Sequence, residues 1–297
     1  MASRAKRAAL AVTPPVIADA ARRVRRSRRS PVLPAWEVEP EGWAAADSVP
    51  GWDVDGVVAA ARARLPEFRA ALTGPCVLAM GTEAAYRVTT ASVGAQQEAL
   101  VRAYALLGAS RTRDHVSVLD WGGGLGFSGL LARAILPDAV ALDYHCREQP
   151  KLVAAGREVV PEVQFWDDDG CFDRTFDLVV ASSSLQYAED WQPLLARFSA
   201  IATGSVLLTR VPVVEHHPAF VTRQRVAQYG TEYLGWVFNR GDLLNAAADV
   251  GLVLDREFVL GYRPHVVGAP EQDETRAYLF GASAVAGTGT ATGSSAG

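Results

Sequence analysis

One turn constrains this chain more than any other feature. Val118-Leu119-Asp120 closes a short β-rich run that starts at His115, and Trp121-Gly122-Gly123-Gly124-Leu125-Gly126-Phe127 follows at once. Glycines let the backbone take φ > 0 and leave no Cβ between the chain and a bound molecule. A helix opening near Phe127 then offers its free N–H groups to a polar ligand. The same strand–turn–helix alternation continues towards the C-terminus. β-rich runs predict strands near 116–120, 140–147, 163–166, 176–182, 205–211, 253–260 and 276–281, and helical periodicity predicts helices near 127–136, 150–158, 190–201 and 240–250. Alternation at this spacing gives βαβ units, an α/β fold with a mostly parallel seven-stranded sheet covered on both faces.

The N-terminal third is different. Residues 1–30 hold nine basic groups against Asp19 alone, so this stretch carries +8 and the rest of the 297-residue chain −12. Such a block predicts a solvated, flexible arm, with contact to an anionic membrane surface as the sharper alternative. An acidic body argues against nucleic acid as the partner. Residues 31–110 are expected to form an irregular and helical cap. Pro31, Pro34, Pro40 and Pro50 punctuate its start, then Val54, Val57, Val58, Ala61, Leu65, Phe68 and Leu72 recur at helical spacing. A second helix is expected over about 96–107, with Leu100, Tyr104 and Leu107 on one face. Residues 111–283 form the main domain, with an insertion at about 212–240, and 284–297 a flexible tail. Cys76, Cys146 and Cys171 include no C-x-x-C, which argues against a disulfide framework and fits a cytoplasmic protein. No apolar run reaches the roughly 18 residues of a membrane span.

Two ligand classes fit the glycine turn. Gly124-Leu125-Gly126-Phe127-Ser128-Gly129 satisfies G-x-G-x-x-G, the dinucleotide fingerprint. Asp120-x-Gly122-x-Gly124-x-Gly126 instead sets an acid ahead of alternate glycines, the pattern of S-adenosylmethionine (SAM) methyltransferases. A carboxylate suits the cationic amino-acid end of SAM and would repel a pyrophosphate, so Asp120 favours SAM over NAD(P). Gly122, Gly123, Gly124 and Gly126 then form the cofactor turn. An acid at the second strand end would accept from the ribose hydroxyls. Asp143 and Glu148 are the two candidates: a strand running on to Arg147 leaves Asp143 in mid-strand, and Glu148 stands two residues before Pro150, a favoured first residue of a helix. Asp167 and Asp168 after the third strand are candidates for the adenine amino group, with Trp166 flanking the ring. Ser182 and Ser183 after the fourth leave room for a ligand.

These residues resemble the class I SAM-dependent methyltransferases, which have a Rossmann-like fold, over about residues 100–283. The resemblance extends to a subfamily found among bacterial surface-polysaccharide and natural-product genes. It is carried by Leu119–Gly126 (LDWGGGLG), Pro150–Glu158 (PKLVAAGRE), Ala181–Tyr187 (ASSSLQY) and Gly235–Arg240 (GWVFNR). It implies SAM as cofactor, favours Glu148 as the ribose acid, and implies a small polar acceptor such as a sugar or polysaccharide precursor. Gln186 stands where many class I enzymes carry a histidine, which removes a familiar base.

A hydroxyl acceptor needs a general base. His216, His217 and Tyr233 in the insertion are the candidates, and Gln186, Tyr187, Arg210, Arg225 and Trp236 are candidates for holding the acceptor. The arginines could equally pair with the body's excess acids. No His/Cys/carboxylate cluster has metal-ligand spacing, so a metal-free reaction is expected. Two rivals remain: an NAD(P)-dependent oxidoreductase or epimerase on the same turn, and a non-catalytic assembly partner that keeps the SAM fold.

Overall fold

A computed structural model of the chain describes residues 35–73 and 93–282. The basic arm, the C-terminal tail and Cys76 lie outside those residues. The described chain forms ten strands and six α-helices. Strands β2 (His115–Trp121), β3 (Ala141–Arg147), β4 (Gln164–Trp166) and β5 (Phe176–Ser182) stand parallel in the order β5-β2-β3-β4. Long runs of Val and Leu put both faces of β2 and β5 in the interior, as expected for parallel strands covered by helices. Helices α3 (Phe127–Ile135), α4 (Pro150–Val159), α5 (Trp191–Ile201) and α6 (Arg240–Asp249) match their sequence expectation closely.

The expected mostly parallel, seven-stranded sheet is corrected to a mixed sheet of ten. β6 (Ala202–Val214) runs parallel to β5, whereas β9 (Leu252–Leu260) and β10 (Glu274–Ala282) add antiparallel on its other edge. The insertion is itself a β-hairpin, β7 (Phe220–Val226) and β8 (Thr231–Asn239), turned at Ala227–Gly230. β1 (Trp36–Val38) pairs with β7 from the far end of the chain.

β6 changes partner along one edge. It pairs with β5 as far as Ser182↔Thr209 and with β8 only at Val213↔Phe238 and Val214↔Asn239. The opening between β5 and β8 is a fork beside Arg210–Pro212. Ligands of open α/β sheets bind in crevices of this kind at strand C-termini.

The residues expected as an N-terminal cap divide among several elements, and Trp36, Trp52, Val57 and Ala61 among them line a cavity at the fork. β1 extends the sheet. Helix α1 (Asp55–Leu72) buries Val57, Ala61, Leu65 and Phe68 against α3 and α4, with Phe68 stacked on Phe127 at 4.7 Å. Arg69 pairs with Glu162 at 2.8 Å. Helix α2 (Val93–Ser110) lies against the sheet, not over the crevice. It buries Val101, Ala105, Leu106 and Ala109, while Leu100, Tyr104 and Leu107 face outward, Leu100 with 54% exposure. Cys146 and Cys171 are buried free thiols. No described helix is long and apolar enough to cross a membrane.

Candidate active site

A cavity of about 450 Å³ opens at the fork. One wall is the glycine turn. Gly122, Gly124 and Gly126 take φ of 79°, 62° and 79°. A Cβ on Gly122 would lie 2.4 Å from Ser184 Cβ, and one on Gly123 would lie 2.6 Å from Asp120 Oδ2 and 2.8 Å from Cys146 Sγ. Both are below any real contact, so the turn admits only glycine there. Gly122, Gly123 and Gly124 line the cavity, whereas Gly126 caps α3 against Val163 and Phe165. Glu148 also lines it. Its Oε2 accepts from the Gly124 N–H at 3.0 Å and its Oε1 from the Gln149 N–H at 2.8 Å. Burial raises its carboxyl above the ordinary value, with these two N–H bonds acting the other way. Asp143 is turned elsewhere, accepting from Gln164 Nε2 at 2.7 Å.

Asp120 does not reach the cavity wall. It is fully buried beneath the turn, accepting from the Tyr144 hydroxyl at 2.8 Å, with Arg102 Nη1 at 3.9 Å. Burial pushes its carboxyl up, and Arg102 opposes that shift. Asp120 therefore stands beneath the turn and not on the cavity wall, and its Oδ1 has no hydrogen-bond partner among the described residues. Arg102 belongs to a wider network that sequence reasoning missed. Its Nε donates to Glu98 Oε1 at 3.0 Å, Ser182 donates to the same oxygen at 2.6 Å, and Arg210 Nε stands 3.8 Å from Glu98 Oε2. The available signal was a Glu/Arg pair at i,i+4 among the apolar residues of α2.

The opposite wall comes from the fork and the hairpin. Ser183 and Arg210 are the two described non-glycine residues with positive φ, 50° and 56°, and both line the cavity. Strained backbone of this kind concentrates at functional sites. Tyr233 stacks on Trp52 at 4.1 Å and meets Tyr187 edge-on at 5.0 Å. All three line the cavity with Gln186 and Arg225. Burial drives the Tyr233 phenol far above its ordinary value, which favours its protonated form. Arg225 is held by Glu37 at 2.6 Å and Glu232 at 3.0 Å.

Five expected site residues lie off this wall. His216 is exposed and His217 half-buried; the backbone N–H groups of both donate to Glu271 Oε2, at 2.9 and 2.8 Å. The loop that carries them is pinned to the far side of β6. Asp167 pairs with Arg157 at 3.3 Å, and Asp168 caps its own turn through the Gly170 N–H at 2.9 Å. Trp236 donates to the Glu189 carbonyl at 3.1 Å and packs on Trp43. Trp166 likewise turns inward, donating to His145 Nδ1 at 2.9 Å.

A family model described as "Methyltransferase domain" matches residues 93–257. The chain belongs to that family. This methyltransferase is an enzyme whose cofactor is SAM. No curated protein matches the chain. Among solved structures, the magnesium protoporphyrin IX methyltransferase ChlM of Synechocystis PCC 6803, solved with bound SAM, is 16% identical over 64% of this chain and 81% of its own, with a TM-score of 0.45. A TehB-like SAM-dependent methyltransferase from Corynebacterium glutamicum is 22% identical over 76% and 99%, with a TM-score of 0.42. The N-terminal domain of EvdMO1 with bound S-adenosylhomocysteine is 14% identical over 62% and 80%, at 0.44.

The cavity fits the cofactor on three counts. Its volume lies within the roughly 300–1,000 Å³ of small-molecule sites. At Gly124 a Cβ would meet nothing within 4 Å, so the turn is open there, and Glu148 keeps lone pairs beyond the two bonds it accepts.

Proposed function

We propose that this methyltransferase transfers the methyl group to a small polar acceptor of the sugar, polysaccharide-precursor or natural-product-precursor type, as its resemblance to enzymes of such gene clusters suggests. The reading rests on one observation above the rest: a single cavity joins the Gly122–Gly124 turn and Glu148 to a polar and aromatic wall at the fork. SAM supplies an electrophilic methyl on a sulfonium. The chain's part is to hold the acceptor in line with it, which can account for much of the rate in a displacement of this type. Glu148 binds the ribose hydroxyls, and the glycine turn approaches the amino-acid end with its backbone. Asp120 positions that turn. Ser182, Ser183 and the polar edges of Gln186 and Tyr187 lie between cofactor and acceptor. Arg210 and Arg225 border the acceptor's space while paired to glutamates, so their charge is largely spent within the protein. The cytoplasm is the expected compartment.

Isothermal titration with S-adenosylhomocysteine, run in parallel with NAD(H), tests the cofactor half. Heat with the former alone is expected. Heat with NAD(H) and silence with S-adenosylhomocysteine would overturn it.

A further inference from the structure

Asp273 stands just before β10, at the end of the connection from β9, and nothing in the sequence singles it out. It is 4% exposed and lines the cavity, and among the described residues neither carboxylate oxygen has a hydrogen-bond partner beyond its own backbone. A buried carboxylate normally accepts several bonds, and leaving it bare is costly. Burial pushes its carboxyl up to about 6, opposed chiefly by its own backbone N–H and then by the charge of Arg263. Arg263 is itself paired to Glu274 at 2.7 Å. The other titratable groups that line the cavity are Arg102, Arg147, Glu148, Tyr187, Arg210, Arg225, Tyr229, Tyr233 and Tyr262.

A second bare acceptor lines the same cavity. Gln186 is 2% exposed, and its Oε1 has no partner among the described residues. Its Nε2 is committed to Ser183 Oγ at 3.1 Å and to the Arg210 carbonyl at 3.4 Å, which fixes the amide with its oxygen free. Two buried groups that can only accept, set in a cavity with stacked aromatic walls, describe the counterpart they need. It carries several O–H donors and an apolar ring face.

We propose that Asp273 and the Gln186 amide oxygen are specificity-determining residues that receive hydroxyl donors of the acceptor, so the acceptor is a polyhydroxylated ring without an anionic group at that end. This inference rests on the cavity being the acceptor site. An anion beside Asp273 would meet an unscreened like charge in a poorly solvated space. An acceptor hydroxyl would replace the water that the carboxylate loses on folding.

The test has two arms. In the first, thermal unfolding of the free wild type is compared with Asp273→Asn from pH 4 to pH 8. A bare carboxylate that awaits a ligand destabilises the empty protein, so Asp273→Asn should melt roughly 3–6 °C higher at pH 8. Because the folded-state value is raised, the penalty develops as pH rises towards about 6 and is flat above it. The gain should fade towards pH 4. In the second arm, ligand-observed NMR on protein saturated with S-adenosylhomocysteine compares a neutral hexose with the matching hexuronate. The hexose should bind to wild type in preference to the hexuronate, and about tenfold or more weakly to Asp273→Ala. A lower or unchanged melting temperature for Asp273→Asn at pH 8, preference for the hexuronate, or no hexose binding would each overturn the proposal. Affinity for S-adenosylhomocysteine should be the same in wild type and both variants. Its absence in wild type would sink the cofactor reading instead.

Discussion

Arg102 provides a sharp test of how the site is supported. Its guanidinium is 7% exposed and stands between two carboxylates, Glu98 at 3% and Asp120 at 0% exposure. Replacing it with leucine removes the one cation that serves both. Breaking a buried ion pair by deleting one partner costs about 3–5 kcal/mol, because the remaining charge loses both water and counter-ion. Here part of the compensation survives. Tyr144 still donates to Asp120, and Ser182 still donates to Glu98, with Arg210 3.8 Å away. The lower end, about 3 kcal/mol, is therefore expected for Arg102→Leu, or a fall of about 6–12 °C in melting temperature. Urea unfolding at fixed pH measures it, with an unchanged slope showing that the transition is comparable. The sign with pH is set by Glu98, which Arg102 and Arg210 together hold below its ordinary 4.5 despite burial. A depressed carboxylate stabilises the fold above its unfolded value and loses that contribution as pH falls. That contribution is full above about 4.5 and is lost as pH falls below it, so the deficit of Arg102→Leu should hold between neutrality and pH 5 and shrink below about 4.5, and adding Glu98→Gln should restore part of it. A deficit under about 1 kcal/mol, or one that does not shrink between about pH 5 and pH 3.5, would refute the reasoning.

Gly123→Ala should abolish S-adenosylhomocysteine binding and lower stability, because the new Cβ meets an Asp120 carboxylate that Tyr144 and Arg102 hold in place; calorimetry and thermal unfolding read the two effects. Glu148→Gln should weaken the same ligand about 10–100-fold, the worth of hydrogen bonds to a charged group, and lower the melting temperature modestly, because its amide nitrogen faces one of the two N–H groups that Glu148 accepts from. Since burial raises the Glu148 carboxyl, wild-type affinity should decline as pH falls through that raised value, and Glu148→Gln should lose the dependence. The double variant His216→Ala/His217→Ala should change methyl transfer by less than about twofold, as rings off the cavity wall make no contact with reacting atoms.

The cofactor half of the site was largely visible in the sequence because its information is local. A strand, a glycine turn and a helix lie within residues 115–135, and Glu148 precedes a proline that opens α4. The acceptor half was not visible, because its information is distant. β1 pairs Trp36 with Gln224, and Trp52 meets Tyr233, contacts that no window of periodicity reports. The hairpin 220–239 alternates as strands should, but its partners, β1 and the end of β6, lie far from it in the chain. On α2, helical spacing identified an apolar face at Leu100, Tyr104 and Leu107, but a second apolar face one step round the helix packs on the sheet. Tertiary context chose between them. Asp273 stands between Glu271 and Glu274 in an acidic stretch of loop, where its residue type distinguishes nothing. Only burial without a partner marks it, and burial belongs to the fold.

The partner change along β6 also sets where the molecule can breathe. The sheet of β1, β7 and β8 is joined to the central strands by two register pairs, Val213↔Phe238 and Val214↔Asn239, while β2 and β5 are bonded on both edges deep in the core. Opening free energy follows such local bonding. Side chains carry the rest of that joint, Trp236 to the Glu189 carbonyl at 3.1 Å and Tyr187 to Gln224 at 3.2 Å, so local opening is expected to reach the hairpin before it reaches the glycine turn, and hydrogen exchange of residues 220–237 reads that order.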